Sequence, residues 1–140
     1  MPSATHQDLL LWALRKMTAD GYLPVASDGA ISRGGFWNLL PTPAQTGHFR
    51  PDAYGINAHS GALAFGEAKI ASDIATVHTL KQLSTFGRLF DRSQNDWCKL
   101  YVAVPRSAAL LLDRTLAKAG LLGNKHVFCM YVPDCMVGAK

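Results

Sequence analysis

The sequence has few cysteines, and none of them stands at a spacing typical of metal or redox sites. Only Cys98, Cys129 and Cys135 occur among 140 residues, and no two of them form a Cys-x-x-Cys pair. An odd number of cysteines without a secretory signal predicts free thiols in a reducing, cytoplasmic setting. His126 and Cys129 are possible zinc ligands, but without a second pair at ligand spacing we favour buried thiols.

Long apolar runs, long basic runs and internal repeats are missing as well. No apolar stretch approaches the length that crosses a bilayer, so no membrane partner is expected. The net charge of +4 suits a polyanionic partner without establishing one, because the lysines and arginines are dispersed. With 49% apolar residues, the chain is expected to form one globular domain over residues 1–140.

Two acids and a lysine stand close together in residues 50–69. Pro51-Asp52 is followed by residues 53–66 and then by Glu67-Ala68-Lys69. Turn-forming residues at 57–61 predict two strands joined by a turn, the second over residues 62–70. Alternate residues of a strand point to opposite faces, so Glu67 and Lys69 share one face.

This segment carries the chemistry that phosphodiester hydrolysis needs. If Asp52 lies beside the second strand, two carboxylates can hold a cation such as Mg²⁺, and Lys69 can orient water or offset phosphate charge. The alternative is an ordinary ion pair. The strand is otherwise small and apolar, however, and two charges there are costly unless they are paired or metal-bound.

The hydrophobic pattern predicts the element order α-β-β-β-α-β-α-β. Residues 62–104 have the length of a right-handed crossover between parallel strands, and the hairpin before them adds antiparallel strands. The expected fold class is α/β, a mixed central sheet flanked by helices. Small residues opposite Glu67 are expected to pack against a helix. The predicted helices span residues 5–19, 72–91 and 107–119, and the predicted strands outside the hairpin span residues 22–26, 97–104 and 126–132. The first helix is expected to begin at the N-cap Thr5, with Asp8 completing a capping box, and the second at Ser72 or Asp73. The third is expected to begin at Ser107 and to end at Gly120.

Residues 27–49 form a Gly- and Pro-rich stretch that is long for a loop in a compact domain. Arg33, with Phe36, Trp37 and His48, is suited to contact a nucleic acid. The favoured alternative is that the aromatic pair folds back over the core or joins the sheet.

Pro51-Asp52 and Glu67-Ala68-Lys69, fourteen residues apart, resemble the signature of the PD-(D/E)xK nuclease superfamily. The element order is similar to the αβββαβ core of that restriction-endonuclease-like fold, followed here by a C-terminal αβ extension. The resemblance implies that Asp52 and Glu67 bind Mg²⁺ or Mn²⁺. It also implies that Lys69 positions or activates the attacking water.

The next helix contains a second resemblance. Gln82-Leu83-Ser84-Thr85-Phe86 resembles the Q-h-x-x-Y motif of the exonuclease-like branch, with Phe86 where tyrosine is expected. Gln82 is therefore a candidate for steering the active site, the alternative being a polar residue on an exposed helix face. Several members also take a metal ligand from the first helix, where Asp8 is the candidate; its predicted capping role explains it equally well.

The function expected from this resemblance is a magnesium-dependent nuclease acting on DNA. The chain is similar in size to Holliday-junction resolvases, which act as homodimers, and a phage or mobile-element endonuclease is an equal alternative. Arg50, Lys81 and Arg88, with Arg33, are the candidates for holding phosphates. Two other hypotheses are an inactive nuclease fold serving as a DNA-binding or assembly subunit, and an unrelated α/β domain with a chance motif. The last predicts Asp52 more than about 5 Å from the Glu67 strand.

Overall fold

The computed structural model describes residues 4–27 and 51–137. In these ranges the helices are α1 (Ala4–Ala19), α2 (Ala71–Ile74), α3 (Val77–Phe86) and α4 (Ala109–Ala119). The strands are β1 (Tyr22–Ser27), β2 (Ala53–Asn57), β3 (Leu63–Ala68), β4 (Phe90–Asp91), β5 (Asp96–Trp97), β6 (Lys99–Pro105) and β7 (Val127–Val132). Short 3₁₀ turns occupy Arg106–Ala108 and Asp134–Met136.

The main sheet has five strands in the order β1-β2-β3-β6-β7. The β1–β2 and β2–β3 pairs are antiparallel, and the β3–β6 and β6–β7 pairs are parallel. The predicted mixed sheet, the hairpin and the parallel pairing of the two strands joined by the crossover are therefore confirmed. The right hand of the crossover stays a prediction. Most of β6 is buried, as its continuous apolar sequence predicts for a strand covered on both faces.

Helix α1 packs on one face of the sheet, against the small residues of β3. A Cβ atom at Gly66 would lie 3.1 Å from Sδ of Met17, so a larger residue there would require the Met17 side chain to shift. Ala64 and Ala68, on the same side of β3, are fully buried in this layer. The helix predicted opposite Glu67 is thus α1.

Helices α3 and α4 cover the other face, where the larger side chains collect. Phe65 of β3 stacks between Tyr54 and Phe86, with ring centroids 5.5 and 5.9 Å away. Each large side chain buried here contributes roughly 1.5–3 kcal/mol of transfer free energy. This layer fixes α3 on the face of β3 that carries Glu67.

The helix predicted from residue 72 to 91 is wrong in its bounds, because the chain breaks it in two. Helix α2 ends at Ile74, and α3 begins after Thr76, whose Oγ1 accepts a hydrogen bond of 3.1 Å from the backbone N–H of Thr79. Helix α3 ends at Phe86, and β4 and β5 follow as a two-stranded hairpin. Oδ1 of Asp91 accepts from the backbone N–H of Ser93 and so stabilises the turn.

The three predicted N-caps are also wrong. Ser72 and Asp73 lie inside α2, whose N-cap position is Ile70. Helix α1 begins at Ala4, so Thr5 lies inside its first turn, and the predicted capping box with Asp8 does not stand at the helix start. Ser107 lies before α4 in a 3₁₀ turn, and its hydroxyl donates to Oδ2 of Asp134 over 2.5 Å. Gly120, at a φ of 74°, ends α4 in the left-handed conformation, as predicted.

All three cysteines are free thiols. Cys98 is buried, Cys129 is half-buried and Cys135 is exposed, so the prediction of buried thiols fails at Cys135. Nε2 of His126 lies 2.6 Å from the carbonyl oxygen of Gly87, a contact that fixes the ring at the end of α3. Across residues 4–27 and 51–137, no helix combines the length and the apolar character needed to cross a membrane.

Candidate active site

Asp52 is tied to Glu67 and Ala68 of β3 by two hydrogen bonds at the end of the β2–β3 hairpin. The backbone N–H of Asp52 donates to Oε2 of Glu67 over 2.8 Å. In return, the backbone N–H of Ala68 donates to Oδ2 of Asp52 over 2.9 Å. Asp52 thus lies directly beside the Glu67 strand, as predicted, whereas the chance-motif hypothesis placed it farther away.

Glu67 lies on the α3 face of β3, where it is completely buried. Its position follows from the strand alternation, since Phe65 and Glu67 point to the same side and Gly66 points toward α1. A buried carboxylate is costly unless hydrogen bonds and charges compensate it. The Asp52 N–H and the Lys69 ammonium provide that compensation.

The Lys69 ammonium lies between the hairpin and helix α3. Its Nζ donates to Oε1 of Gln82 over 2.5 Å and lies 3.7 Å from Oε1 of Glu67. The second distance is an ion-pair distance and too long for a hydrogen bond. The amide of Gln82 therefore positions the ammonium, while Glu67 balances its charge.

Gln82 comes from the middle of α3, and only 9% of its surface is exposed. The alternative of a polar residue on an exposed helix face is therefore wrong. Phe86, one turn later on the same side, is fully buried and stacks on Phe65. Phe86 stands where the Q-h-x-x-Y motif has tyrosine. Because this position lies in the apolar core, a ring without a hydroxyl fits there.

His6 is a component of the site that the sequence did not indicate. Its Nε2 lies 3.1 Å from Oδ2 of Asp52, and the two side chains are 19% and 16% exposed. The residue predicted from this helix was Asp8. Two residues correspond to a rotation of about 200° around a helix, so Asp8 points away when His6 faces Asp52. The metal role of Asp8 remains a prediction, whereas His6 of α1 contacts Asp52 directly.

The donor set fits a hard divalent cation, because Asp52 and Glu67 offer carboxylate oxygens from adjacent backbone segments. Oδ2 of Asp52 and Oε2 of Glu67 accept hydrogen bonds from backbone N–H groups, and the candidate ligands are Oδ1 of Asp52 and Oε1 of Glu67, the second of which lies beside Lys69. His6 adds a nitrogen beside Asp52. In the part of the chain that the structure describes, no three His, Cys, Asp or Glu side chains already stand together as a metal-holding group.

The candidate phosphate-binding residues are spread over the molecule. Lys81 is exposed on α3, next in sequence to Gln82. Arg88 follows the end of α3 and donates to the carbonyl oxygen of Ala119. It does not reach Asp52 or Glu67, because it faces the far end of the sheet. Arg33 and Arg50, like the interpretation of residues 28–49, lie outside the described residues.

Comparison of the chain with protein-family models, with curated proteins and with solved structures finds no match in any of the three.

Proposed function

We propose that this chain is a metal-dependent nuclease that hydrolyses phosphodiester bonds of DNA, with the restriction-endonuclease-like core of the PD-(D/E)xK superfamily. One observation carries the proposal. The four residues that the sequence predicts for this chemistry are joined in a row. The contacts are 2.8 Å between Asp52 and Glu67, 3.7 Å between Glu67 and Lys69, and 2.5 Å between Lys69 and Gln82.

The order and pairing of the elements support the same proposal. Helix α1 and strands β1, β2 and β3 lead through α3 to β6, and β3 and β6 are parallel. Helix α4 and strand β7 then extend the sheet. This agrees with the αβββαβ core and C-terminal αβ extension that the resemblance implies.

In the proposed mechanism, Asp52 and Glu67 hold Mg²⁺ or Mn²⁺. The ion, when bound, supplies an activated water and offsets negative charge on the phosphate. Gln82 holds the Lys69 ammonium on the same side of β3 as Glu67. From there Lys69 donates a hydrogen bond to the attacking water or to a phosphate oxygen, which orients the first or stabilises the charge of the second.

The proposed substrate is DNA held mainly through its phosphates, with Lys81, Arg33 and Arg50 as candidate contacts. We keep two alternatives for its biological form, a resolvase-like homodimer and a phage or mobile-element endonuclease. The three free cysteines support a reducing, cytoplasmic setting. A panel of single-stranded, duplex, flapped and four-way-junction DNA, incubated with Mg²⁺ or Mn²⁺, tests the proposal. Preferred nicking of the junction by a dimer would select the first form, and no cleavage of any substrate would contradict the nuclease assignment.

A second candidate function is a non-catalytic nuclease fold that binds DNA or assembles with partners. The observation that favours it is that the bonds of Asp52 and Glu67 to backbone N–H groups also tie β2 to β3, a role that needs no chemistry. Calorimetric titration with Mn²⁺ separates the two candidates. A nuclease binds the ion in a way that Asp52→Asn and Glu67→Gln abolish, and an inactive fold shows no such binding.

A further inference from the structure

A cavity of about 670 Å³ opens at the amino-terminal ends of β6 and β7, beside the carboxyl ends of α3 and α4. Lys99, on its wall, lies three residues before Val102, the β6 partner of Glu67. That offset corresponds to about 10 Å along the strand, so the cavity is separate from the candidate active site. Its functional lining comprises Arg88, Trp97, Lys99, Asn124, Lys125 and His126.

The charges around this cavity are mostly positive, with Asp96 as the one carboxylate among the lining residues. Nζ of Lys99 lies 3.6 Å from Oδ2 of Asp96. The backbone N–H of Trp97 and the Lys99 ammonium lower the pKa of Asp96, so this carboxylate stays charged at neutral pH. Arg88 uses one Nη on the carbonyl of Ala119 and retains further N–H donors. Lys125 is exposed. Two cations therefore remain beyond the Lys99–Asp96 pair, enough to receive a phosphate.

The cavity also contains a planar aromatic surface. The Trp97 ring is 43% exposed and lies flat on His126, with centroids 5.5 Å apart and planes 18° apart. The bond between Nε2 of His126 and the carbonyl of Gly87 holds that support in place. Phe90 packs edge-on against Trp97 at 5.3 Å. The Trp97 platform is thus fixed before any ligand arrives, which lowers the entropic cost of stacking another ring there.

We propose that this cavity binds a nucleotide, with the base stacked on Trp97 and the phosphate held by Lys125 and Arg88. Cations beside an exposed aromatic ring are the combination with which proteins hold nucleotides without reading sequence. The volume lies in the range of small-ligand sites. A free nucleotide and a nucleotide unit of a single strand present the same chemistry. The site does not depend on the proposed nuclease activity, because none of its residues belongs to the candidate active site.

The test is a titration of the full chain, without divalent metal and at low salt. The probes are adenosine 5′-monophosphate, adenosine, inorganic phosphate and a single-stranded oligothymidylate of about ten nucleotides. The monophosphate should bind more tightly than adenosine or phosphate alone. Trp97→Ala and Lys125→Ala should each weaken binding about tenfold. Lys118→Ala is the matched control, since Lys118 is an exposed lysine of α4 facing a different depression, beside Thr76 and Leu80.

A second measurement covers the case in which Trp97→Ala does not fold. Trp97→Phe keeps an aromatic plane, so calorimetric binding should stay within a few-fold, while the ligand-induced change in tryptophan fluorescence should disappear. If the oligothymidylate binds more tightly than adenosine 5′-monophosphate, the site is assigned to single-stranded nucleic acid. If the two bind equally, the site is assigned to free nucleotides. The proposal is overturned if neither adenosine 5′-monophosphate at about 10 mM nor the oligothymidylate binds, or if their binding does not change in Trp97→Ala and Lys125→Ala. Lys69→Met should bind as the unmodified chain does, which separates this result from any failure of the nuclease proposal.

Discussion

Nζ of Lys69 lies 2.5 Å from Oε1 of Gln82, so the ammonium of the residue that follows β3 meets an amide of α3. The contact places the ammonium 3.7 Å from the buried carboxylate of Glu67. An ammonium on a four-carbon stem has many rotamers, and the amide selects one of them. Gln82 therefore acts as a positioning residue for Lys69 in the proposed nuclease.

The first prediction concerns Gln82 itself. Gln82→Met keeps the volume of this buried side chain and removes the oxygen that accepts from Lys69. Hydrogen bonds to charged groups contribute about 1.5–3 kcal/mol, so single-turnover cleavage should slow roughly ten- to hundredfold. Gln82→Glu retains an acceptor oxygen and should cleave faster than Gln82→Met. Equal rates for Gln82→Met and the unmodified chain would show that the contact has no catalytic role.

The second prediction separates His6 from Asp8. Because Nε2 of His6 contacts Oδ2 of Asp52, His6→Ala should lower the apparent Mn²⁺ affinity about tenfold, as loss of a partner of a metal ligand typically does. Asp8→Ala should leave the affinity unchanged, since Asp8 points away from His6 around α1. Calorimetric titration of both variants provides the measurement. The reverse result, with Asp8 required and His6 dispensable, would contradict the geometry of the site.

The third prediction concerns alkaline pH. Burial raises the pKa of Cys98 from 9.0 to about 11. Burial and the hydrogen bond from its hydroxyl to Asp20 raise the pKa of Tyr101 above its usual 10.0. The unfolded chain loses these protons first as pH rises, so the free energy of unfolding is unaffected by them below pH 9 and falls from about pH 9 upward.

Thermal melts from pH 8 to pH 11 measure this effect. We expect the Tm to drop by at least roughly 5 °C over this range. Tyr101→Phe removes one of the shifted groups, so its Tm should fall less between pH 10 and 11 even though it loses the bond to Asp20. A Tm that is constant up to pH 11 would contradict the raised pKa values of Cys98 and Tyr101. An equally steep fall of the Tm in Tyr101→Phe would contradict the role given to Tyr101.

The hairpin and the face that carries Glu67 and Lys69 could be predicted because strand geometry is local. Alternation alone places Glu67 and Lys69 together, and the run of small residues around Gly66 indicates a close helix on the opposite side. Gln82 was identified by a motif resemblance, and its contact with Lys69 followed from the crossover that brings α3 over β3.

The features that the sequence did not reveal depend on distant contacts or on competing local bonds. His6 meets Asp52 across 46 positions, and no spacing rule links them. The break before Thr76 is hidden because apolar residues continue at helical spacing on both sides of it. Arg88 was expected near the active site, but the short end of α3 turns it toward α4, where it contacts Ala119.

The most direct test of the nuclease proposal is metal-dependent DNA cleavage by the purified chain and three conservative variants. Asp52→Asn and Glu67→Gln retain oxygens that can accept from Ala68 and Asp52, and Lys69→Met retains the aliphatic stem, so all three should fold. The proposal predicts that the unmodified chain cuts DNA with Mg²⁺ or Mn²⁺ and not with EDTA. It also predicts that each variant is at least about a hundredfold slower. The Tm should stay close to that of the unmodified chain in Asp52→Asn, and it should fall in Lys69→Met, where the buried Glu67 carboxylate loses its counter-charge. Circular dichroism should show that all three variants keep the fold. Cleavage that survives in Asp52→Asn and Lys69→Met, or absence of cleavage in the unmodified chain, would contradict it.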